Sequence, residues 1–204
     1  DLEYAVSLKS ILDLHHIAAE DLEGAILSSV VPPLNAVITE AVRKVTGLAC
    51  KLVGAGMKTG MNIRMDDPKH IGSDLIVDSV AAKANYPLPI IVIDMGTATS
   101  ITALDKNGDY VGGVIHPGLR VSLNTLSGST AQLPSIDLES PGRALAKNTI
   151  EAMQSGILYG TAGMLDGILS RMEKELGSKA TIVATGGLAR FVTPLCSHQI
   201  EFDD

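Results

Sequence analysis

Aromatic residues are scarce in this chain: 204 residues hold four tyrosines, two phenylalanines and no tryptophan. The hydrophobic fraction of 46% therefore comes from Val, Ile, Leu and Ala, punctuated by 20 glycines. That balance favours an α/β protein with buried apolar strands over a β-sandwich. Positive charge is also short, with 16 Lys and Arg against 23 Asp and Glu, a net charge of −7. No basic stripe is present, which argues against a nucleic-acid surface. A nucleotide is not excluded, because glycine-rich loops bind phosphates through backbone N–H groups. The two cysteines, Cys50 and Cys196, lie far apart without metal-ligand spacing and read as reduced thiols of a cytoplasmic protein. No apolar run approaches the roughly 20 residues that span a membrane. No signal peptide opens the chain, and heptads, solenoid periods and low-complexity tracts are absent.

The length allows one large or two small domains. The chain starts at Asp1 in a helical pattern, with Ala5, Leu8 and Leu12 on one face, as expected of a fragment or a trimmed chain. Residues 24–31 form an apolar run of strand length stopped by Pro32 and Pro33. Leu34, Val37, Ile38, Ala41, Val42 and Val45 recur at helical spacing. Gly47 ends that helix, and residues 48–53 can form another strand. This β-α-β unit predicts a parallel pair. Residues 54–71 are loop-like and lead into a helix over about 74–84. The interruption Tyr86-Pro-Leu-Pro89 places a domain boundary there, giving domains 1–87 and 88–204. Beyond it, strands over 90–94, 100–104 and 110–115 form an antiparallel meander, with an Asn107-Gly108 hairpin signal. Helices follow over about 118–126 and 148–176, then a strand over 181–184.

The most informative segment is Asp94-Met-Gly-Thr-Ala-Thr99, after a buried strand. Gly96 lets a phosphate approach the backbone without meeting a Cβ. Thr97 and Thr99 offer hydroxyls beside turn N–H groups, an anion nest. Asp94 suits a cation, since two anions repel unless a metal lies between them. Taken alone, the segment fits an ordinary hairpin turn as well.

Its neighbours change the weighting. Lys58-Thr-Gly60, Asp67-Pro68, Gly72-Ser-Asp74, Asp94-Met-Gly-Thr-Ala-Thr99, Gly112-Gly-Val-Ile-His-Pro-Gly118, Ala131-Gln-Leu-Pro134, Lys147-Asn-Thr149, Ala152-Met-Gln-Ser-Gly156 and Thr185-Gly-Gly187 occur in that order. In this ordered set the sequence resembles the type III pantothenate kinases over nearly the whole chain. The resemblance implies an actin/hexokinase-like (ribonuclease H-like) α/β fold of duplicated domains with mixed sheets, its N-terminal half incomplete. It implies ATP-dependent phosphorylation of pantothenate, the first step toward coenzyme A. ATP with Mg2+ and a monovalent cation, K+ or NH4+, are the expected cofactors. A homodimer with shared active sites is the expected assembly.

Residue by residue, the resemblance makes Asp74 the general base, with Gly72, Ser73, Leu75 and Met65 on the pantothenate side. Asp94 would ligate the monovalent cation, and Gly96 and Thr97 would contact ATP. Gly186 and Gly187 would form the adenosine turn, and Thr149 would reach pantothenate in the neighbouring subunit. A free aspartate is a weak base at neutral pH, so Asp74 would act by position. Local sequence offers a plainer role for each. Asp74 suits a helix N-cap, Asn148-Thr149 the start of a helix, and residues 185–187 a strand-to-helix turn. His70, weighed as an alternative base, reads as a solvated loop residue; His15 and His16 read as surface residues of a helix, and His116 takes no catalytic role.

Three departures stand out. No Asp-x-Gly-Asn-Thr phosphate loop occurs, so this chain alone is expected to be inactive. Leu75 replaces an expected arginine, which would pair with the substrate carboxylate. Met65 replaces an expected aromatic residue. Leu75 and Met65 motivate a competing expectation, a non-catalytic regulatory or accessory protein of the same fold. A third is another actin-like kinase or phosphatase acting on a sugar or polyphosphate, an analogy of fold alone.

Overall fold

The computed structural model describes residues 2–54, 56–68, 71–130 and 132–203. They fall into two compact units, one of residues up to 59 with 67–77, the other of residues 60–66 with 78–204. The division passes through a helix, and the Tyr86–Pro89 break lies within the second unit.

In the first unit, α1 (Leu2–Leu14) packs on α2 (Pro32–Thr46). Pro32 and Pro33 occupy the first helical positions, where a missing N–H removes no bond, so they start α2 as well as stopping the preceding run. Gly47 closes the helix at φ +73°, its N–H donating to Arg43 O at 2.9 Å. Strands β1 (Ala25–Leu27) and β2 (Cys50–Leu52) pair in parallel, Ala25 opposite Cys50, with α2 as the crossover. The run expected as a strand over 24–31 is cut to these three residues because Ser28 and Ser29 turn to another partner. Ser29 N–H and Ser28 Oγ both donate to Ser73 Oγ, at 3.1 and 3.0 Å. His15 and His16 lie just past the end of α1, with His16 at φ +55°.

The helix α3 (Ser73–Asn85) runs from the first unit into the second. The second unit is a five-stranded mixed sheet in the order β5-β4-β3-β6-β7. Strands β3 (Ile90–Met95), β4 (Ala98–Leu104) and β5 (Tyr110–Pro117) form the expected antiparallel meander. Strand β6 (Thr181–Thr185) is parallel to β3, and β7 (Glu201–Phe202) is parallel to β6. The β4–β5 turn is fastened by Asp105, whose Oδ1 accepts from the N–H of Asn107 (2.8 Å) and of Asp109 (3.0 Å), and Gly108 supplies φ +73°.

Helices α4 (Leu119–Gly128), α5 (Thr149–Leu176) and α6 (Ala189–Val192) complete this unit. Leu158, Ala162, Leu165 and Leu169 recur at helical spacing on α5 and join Ile91, Ile93, Met95, Ile101 and Ala103 of the sheet in one core. Each fully buried Leu or Ile contributes about 1.5–3 kcal/mol. Asn148 caps α5, its Oδ1 accepting from Glu151 N–H at 2.9 Å, and Gly177 ends it at φ +74°.

The loop-like stretch before α3 is partly held. Ile63 bridges Tyr110 in parallel, with Arg64 N–H donating to Tyr110 O and Tyr110 N–H to Asn62 O, each at 2.8 Å. Buried Asp109 receives the Arg64 guanidinium at 2.6 Å and Asn62 Nδ2 at 3.0 Å. Both cysteines are free thiols. Burial, then the charge of Asp166, push the Cys196 thiol up to about 12, which removes it as a nucleophile.

Candidate functional site

Three glycine turns meet at one end of the second unit's sheet. Strands β3 and β6 run parallel, and their registered ends place Asp94 opposite Thr185. Asp94 is half-buried at the end of β3, while Gly96 and Thr97 form the exposed turn into β4. The crevice outside the carboxyl ends of parallel strands is where α/β folds bind ligands.

The turn is braced from both sides. Gly118, the N-cap of α4, donates its N–H to Thr97 O at 3.1 Å, and a Cβ on it would collide with the carbonyl oxygens of Thr97 and Gly96. Gly186, at φ +93°, lies against the backbone of Met95, where an added Cβ would stand 2.8 Å from its carbonyl oxygen. At Gly96, by contrast, a Cβ would meet only ordinary contacts at 3.7 Å. The close approaches are thus made by Gly118 and Gly186, and Gly96 leaves open space outside the turn. Thr99, expected beside the turn N–H groups, is 1% exposed inside β4 and offers no hydroxyl outward. Thr97 lies in the turn before β4, whereas Thr99 sits inside that strand, which is buried along both faces from its second residue.

Beside Gly187 opens a cavity of about 590 Å3, walled by Arg120, Leu123 and Asn124 of α4, Leu138, Leu188 and Arg190. Its size suits a small organic ligand. Its wall combines apolar leucines with two guanidiniums and one carboxylate, Asp137, and the guanidiniums could meet the phosphates of a nucleotide. Arg120, Asn124, Leu188 and Arg190 were not among the residues singled out from the sequence. The signal was present for two of them, because Arg120 and Asn124 stand four apart on a predicted helix and so share a face.

Among the described residues no three His, Cys, Asp or Glu gather as a metal-ligand set. A cation at Asp94 would draw on one carboxylate and nearby backbone oxygens, a hard donor set that suits an alkali ion or Mg2+ rather than zinc.

In the first unit, Asp74 is the second residue of α3 and half-buried. It lies inside the first turn rather than at the cap, and its Oδ1 accepts from Leu75 N–H at 2.9 Å. A Cβ on Gly72 would collide with that carboxylate oxygen, so the glycine makes room for it. Ser73 Oγ is engaged with Ser28 and Ser29, donating to Ser29 O at 3.1 Å. This triple link moors the start of α3 to the end of β1. Leu75 is half-buried one position on.

The remaining predicted residues are placed apart from these turns in the chain. Met65, 37% exposed, lies over β5, its Sδ 4.0 Å from where a Cβ of Gly112 would stand. Thr149 is the exposed first residue of α5, beside the capping Asn148. His116 Nδ1 stands 2.8 Å from Pro117 O. His70 lies outside the described residues.

A model of the family described as type III pantothenate kinase matches residues 1–171. Curated proteins of that name resemble the chain closely. The one from Moorella thermoacetica is 42% identical over 192 residues, 94% of this chain and 76% of the relative. That of Syntrophobacter fumaroxidans is 41% identical over 203 residues, 99% of this chain and 79% of the relative. Among solved structures, a conserved protein assigned to the Baf family of transcriptional activators from Campylobacter jejuni has a TM-score of 0.56 at 16% identity, over 91% of this chain and 79% of its own. The ethanolamine utilization protein EutJ from Carboxydothermus hydrogenoformans has a TM-score of 0.51 at 16% identity, over 98% of this chain and 68% of its own. At such identity these two likenesses concern the fold alone, and the fold is the actin-like one implied by the motifs.

Proposed function

The chain belongs to the type III pantothenate kinase family, and on that premise we propose that it transfers the γ-phosphoryl group of ATP to the 4′-hydroxyl of pantothenate, opening the route to coenzyme A. The observation that carries the proposal is the convergence of Asp94–Thr97, Gly118 and Thr185–Gly187 at the registered ends of β3 and β6. Phosphoryl transfer passes through a loose transition state that asks chiefly for alignment and charge neutralisation, which such a braced turn supplies.

In this reading the exposed Gly96–Thr97 turn receives phosphate oxygens, and the cavity beside Gly187 receives the adenosine. Mg2+ bound with the nucleotide would supply charge neutralisation at the phosphates. Asp94 holds the monovalent cation at the strand end. Asp74 takes the proton of the pantothenate hydroxyl, its place in the first turn of α3 set by Gly72 and by the moored Ser73. Leu75 and Met65 are each assigned to pantothenate by the family's pattern, and each brings an apolar side chain. Thr149, exposed at the start of α5, serves the partner subunit's pantothenate in a homodimer. The chain works in the cytoplasm, in keeping with its free thiols; among the described residues no helix is long and apolar enough to cross a membrane.

The test is ADP release by the chain completed with an Asp-x-Gly-Asn-Thr phosphate loop, coupled to a reporter, in potassium and then in sodium alone. ADP formation that requires pantothenate, and is faster in potassium, is the expected result. Absence of pantothenate-dependent ADP in both salts would contradict the proposal.

A further inference from the structure

One face of α5 carries polar residues where its neighbours carry leucine. Asp166, Ser170 and Glu173 stand at i, i+4 and i+7, a spacing that puts them on one side of the helix. Asp166 and Ser170 have their partners on the chain that leaves β6 and returns as β7, whereas Glu173 holds Lys179 and Ala180 just before β6 and also faces His198. Asp166 Oδ2 accepts from Ser197 N–H at 2.7 Å, and its Oδ1 accepts from His198 N–H at 3.0 Å and faces His198 Nδ1 at 2.7 Å. Ser170 Oγ lies 3.5 Å from His198 Nε2. Glu173, 7% exposed, accepts from Ala180 N–H at 3.2 Å and pairs with Lys179 at 2.6 Å, with His198 Nε2 at 3.7 Å from its Oε2.

The excursion between residues 180 and 198 is therefore stapled at both ends to one helix. Within it lie Thr185–Gly187 and the cavity residues Leu188 and Arg190. Its own helix, α6, has four residues, too few to be stable alone, and is seated by Ala189 and Val192, which are buried in the core. Gly186 fixes the near end against Met95, and Asp166 fixes the far end. Two consecutive N–H groups on one carboxylate set direction as well as distance, which apolar packing on that face would not do.

We infer that Asp166, backed by His198 and Glu173, is the positioning residue for the nucleotide side of the site, acting through the 186–198 segment and touching no substrate. This rests on the reading of the Gly187 cavity as the adenosine site. In Asp166→Asn an amide NH2 must face one of the N–H donors, so the segment loses its register while the side-chain volume is kept.

The experiment measures ADP binding by calorimetry, and KM for ATP and for pantothenate, on the chain completed with its phosphate loop and on Asp166→Asn of the same completed chain. The expected result is about tenfold weaker ADP binding and a matching rise in KM for ATP, with kcat and KM for pantothenate within about twofold. A general loss of structure would move both KM values together. Unchanged ADP affinity in the variant would overturn the inference, as would an equal rise in both KM values. No ADP binding by the completed chain without the substitution would instead overturn the cavity reading beneath it. Should Asp166→Asn fail to fold, His198→Gln keeps both backbone bonds and removes only the side-chain contact. It should show the same split between the two substrates in smaller measure, and no split would overturn the inference.

Discussion

Gly186 and Gly187 are neighbours with different duties. A Cβ on Gly186 would press on the carbonyl oxygen, carbon and nitrogen of Met95 at 2.8–3.0 Å, and its φ of +93° is one that L side chains rarely adopt. A Cβ on Gly187 would meet nothing within 4 Å. Gly186→Ala should therefore cost about 1–3 kcal/mol in denaturant unfolding, and because it moves the β3–β4 turn it should also weaken ATP binding. Gly187→Ala should leave stability nearly unchanged. Equal stability of the two variants in urea melts would show that the Met95 contact is not tight. At this scale the motif glycines were visible in the sequence, but their separate roles were not. A glycine signals freedom without naming the neighbour that demands it, and here the neighbour is 91 positions away by number.

At the scale of elements, long apolar runs and turn residues made β3, β4, β5 and α5 legible, because each buries a face whose period shows in the chain. The short strand β1 was overdrawn, since nothing local says that Ser28 and Ser29 will serve Ser73. The docking of residues 62–64 on Tyr110 was illegible for the same reason: backbone bonds to a distant strand leave no pattern in the segment that makes them. The polar face of α5 carries a prediction of its own. Burial opposes ionisation of Asp166 and of Glu173. Hydrogen bonds from Ser197 and His198 to the first, and from Lys179 and Ala180 to the second, more than offset it and hold both carboxyls below their ordinary values of 3.8 and 4.5. A depressed folded value means stability that is complete above the unfolded value and lost as pH falls through the folded one. The melting temperature should thus hold steady down to about pH 4.5 and drop below it. In Asp166→Asn the drop should be shallower, and thermal melts between pH 3 and 6 would show it. An unchanged acid slope would mean that Asp166 is not depressed by its partners.

For the whole molecule, the family and the actin-like architecture were legible because the motifs recur in order over most of the chain. The cavity wall of Arg120, Asn124, Leu188 and Arg190 was not, since it is assembled from two helices that meet only in the fold. The proposed homodimer with shared sites would make a demand that a monomeric kinase would not. Asp74→Asn and Thr149→Ala versions of the completed chain, each inactive toward pantothenate alone, should regain activity when mixed and allowed to exchange subunits. If exchange is random, half the dimers are mixed and each has one intact site, so about a quarter of the normal rate should return. No recovery after exchange would place Thr149 outside the partner's site.

Asp74 is the base of the proposed pantothenate kinase, and transfer of labelled γ-phosphate from ATP to pantothenate measures that most directly. The chain completed with its phosphate loop should label pantothenate, and Asp74→Asn should do so at least about 100-fold more slowly with KM for ATP unchanged. Labelling by Asp74→Asn at the normal rate, or none by the completed chain without the substitution, would contradict it.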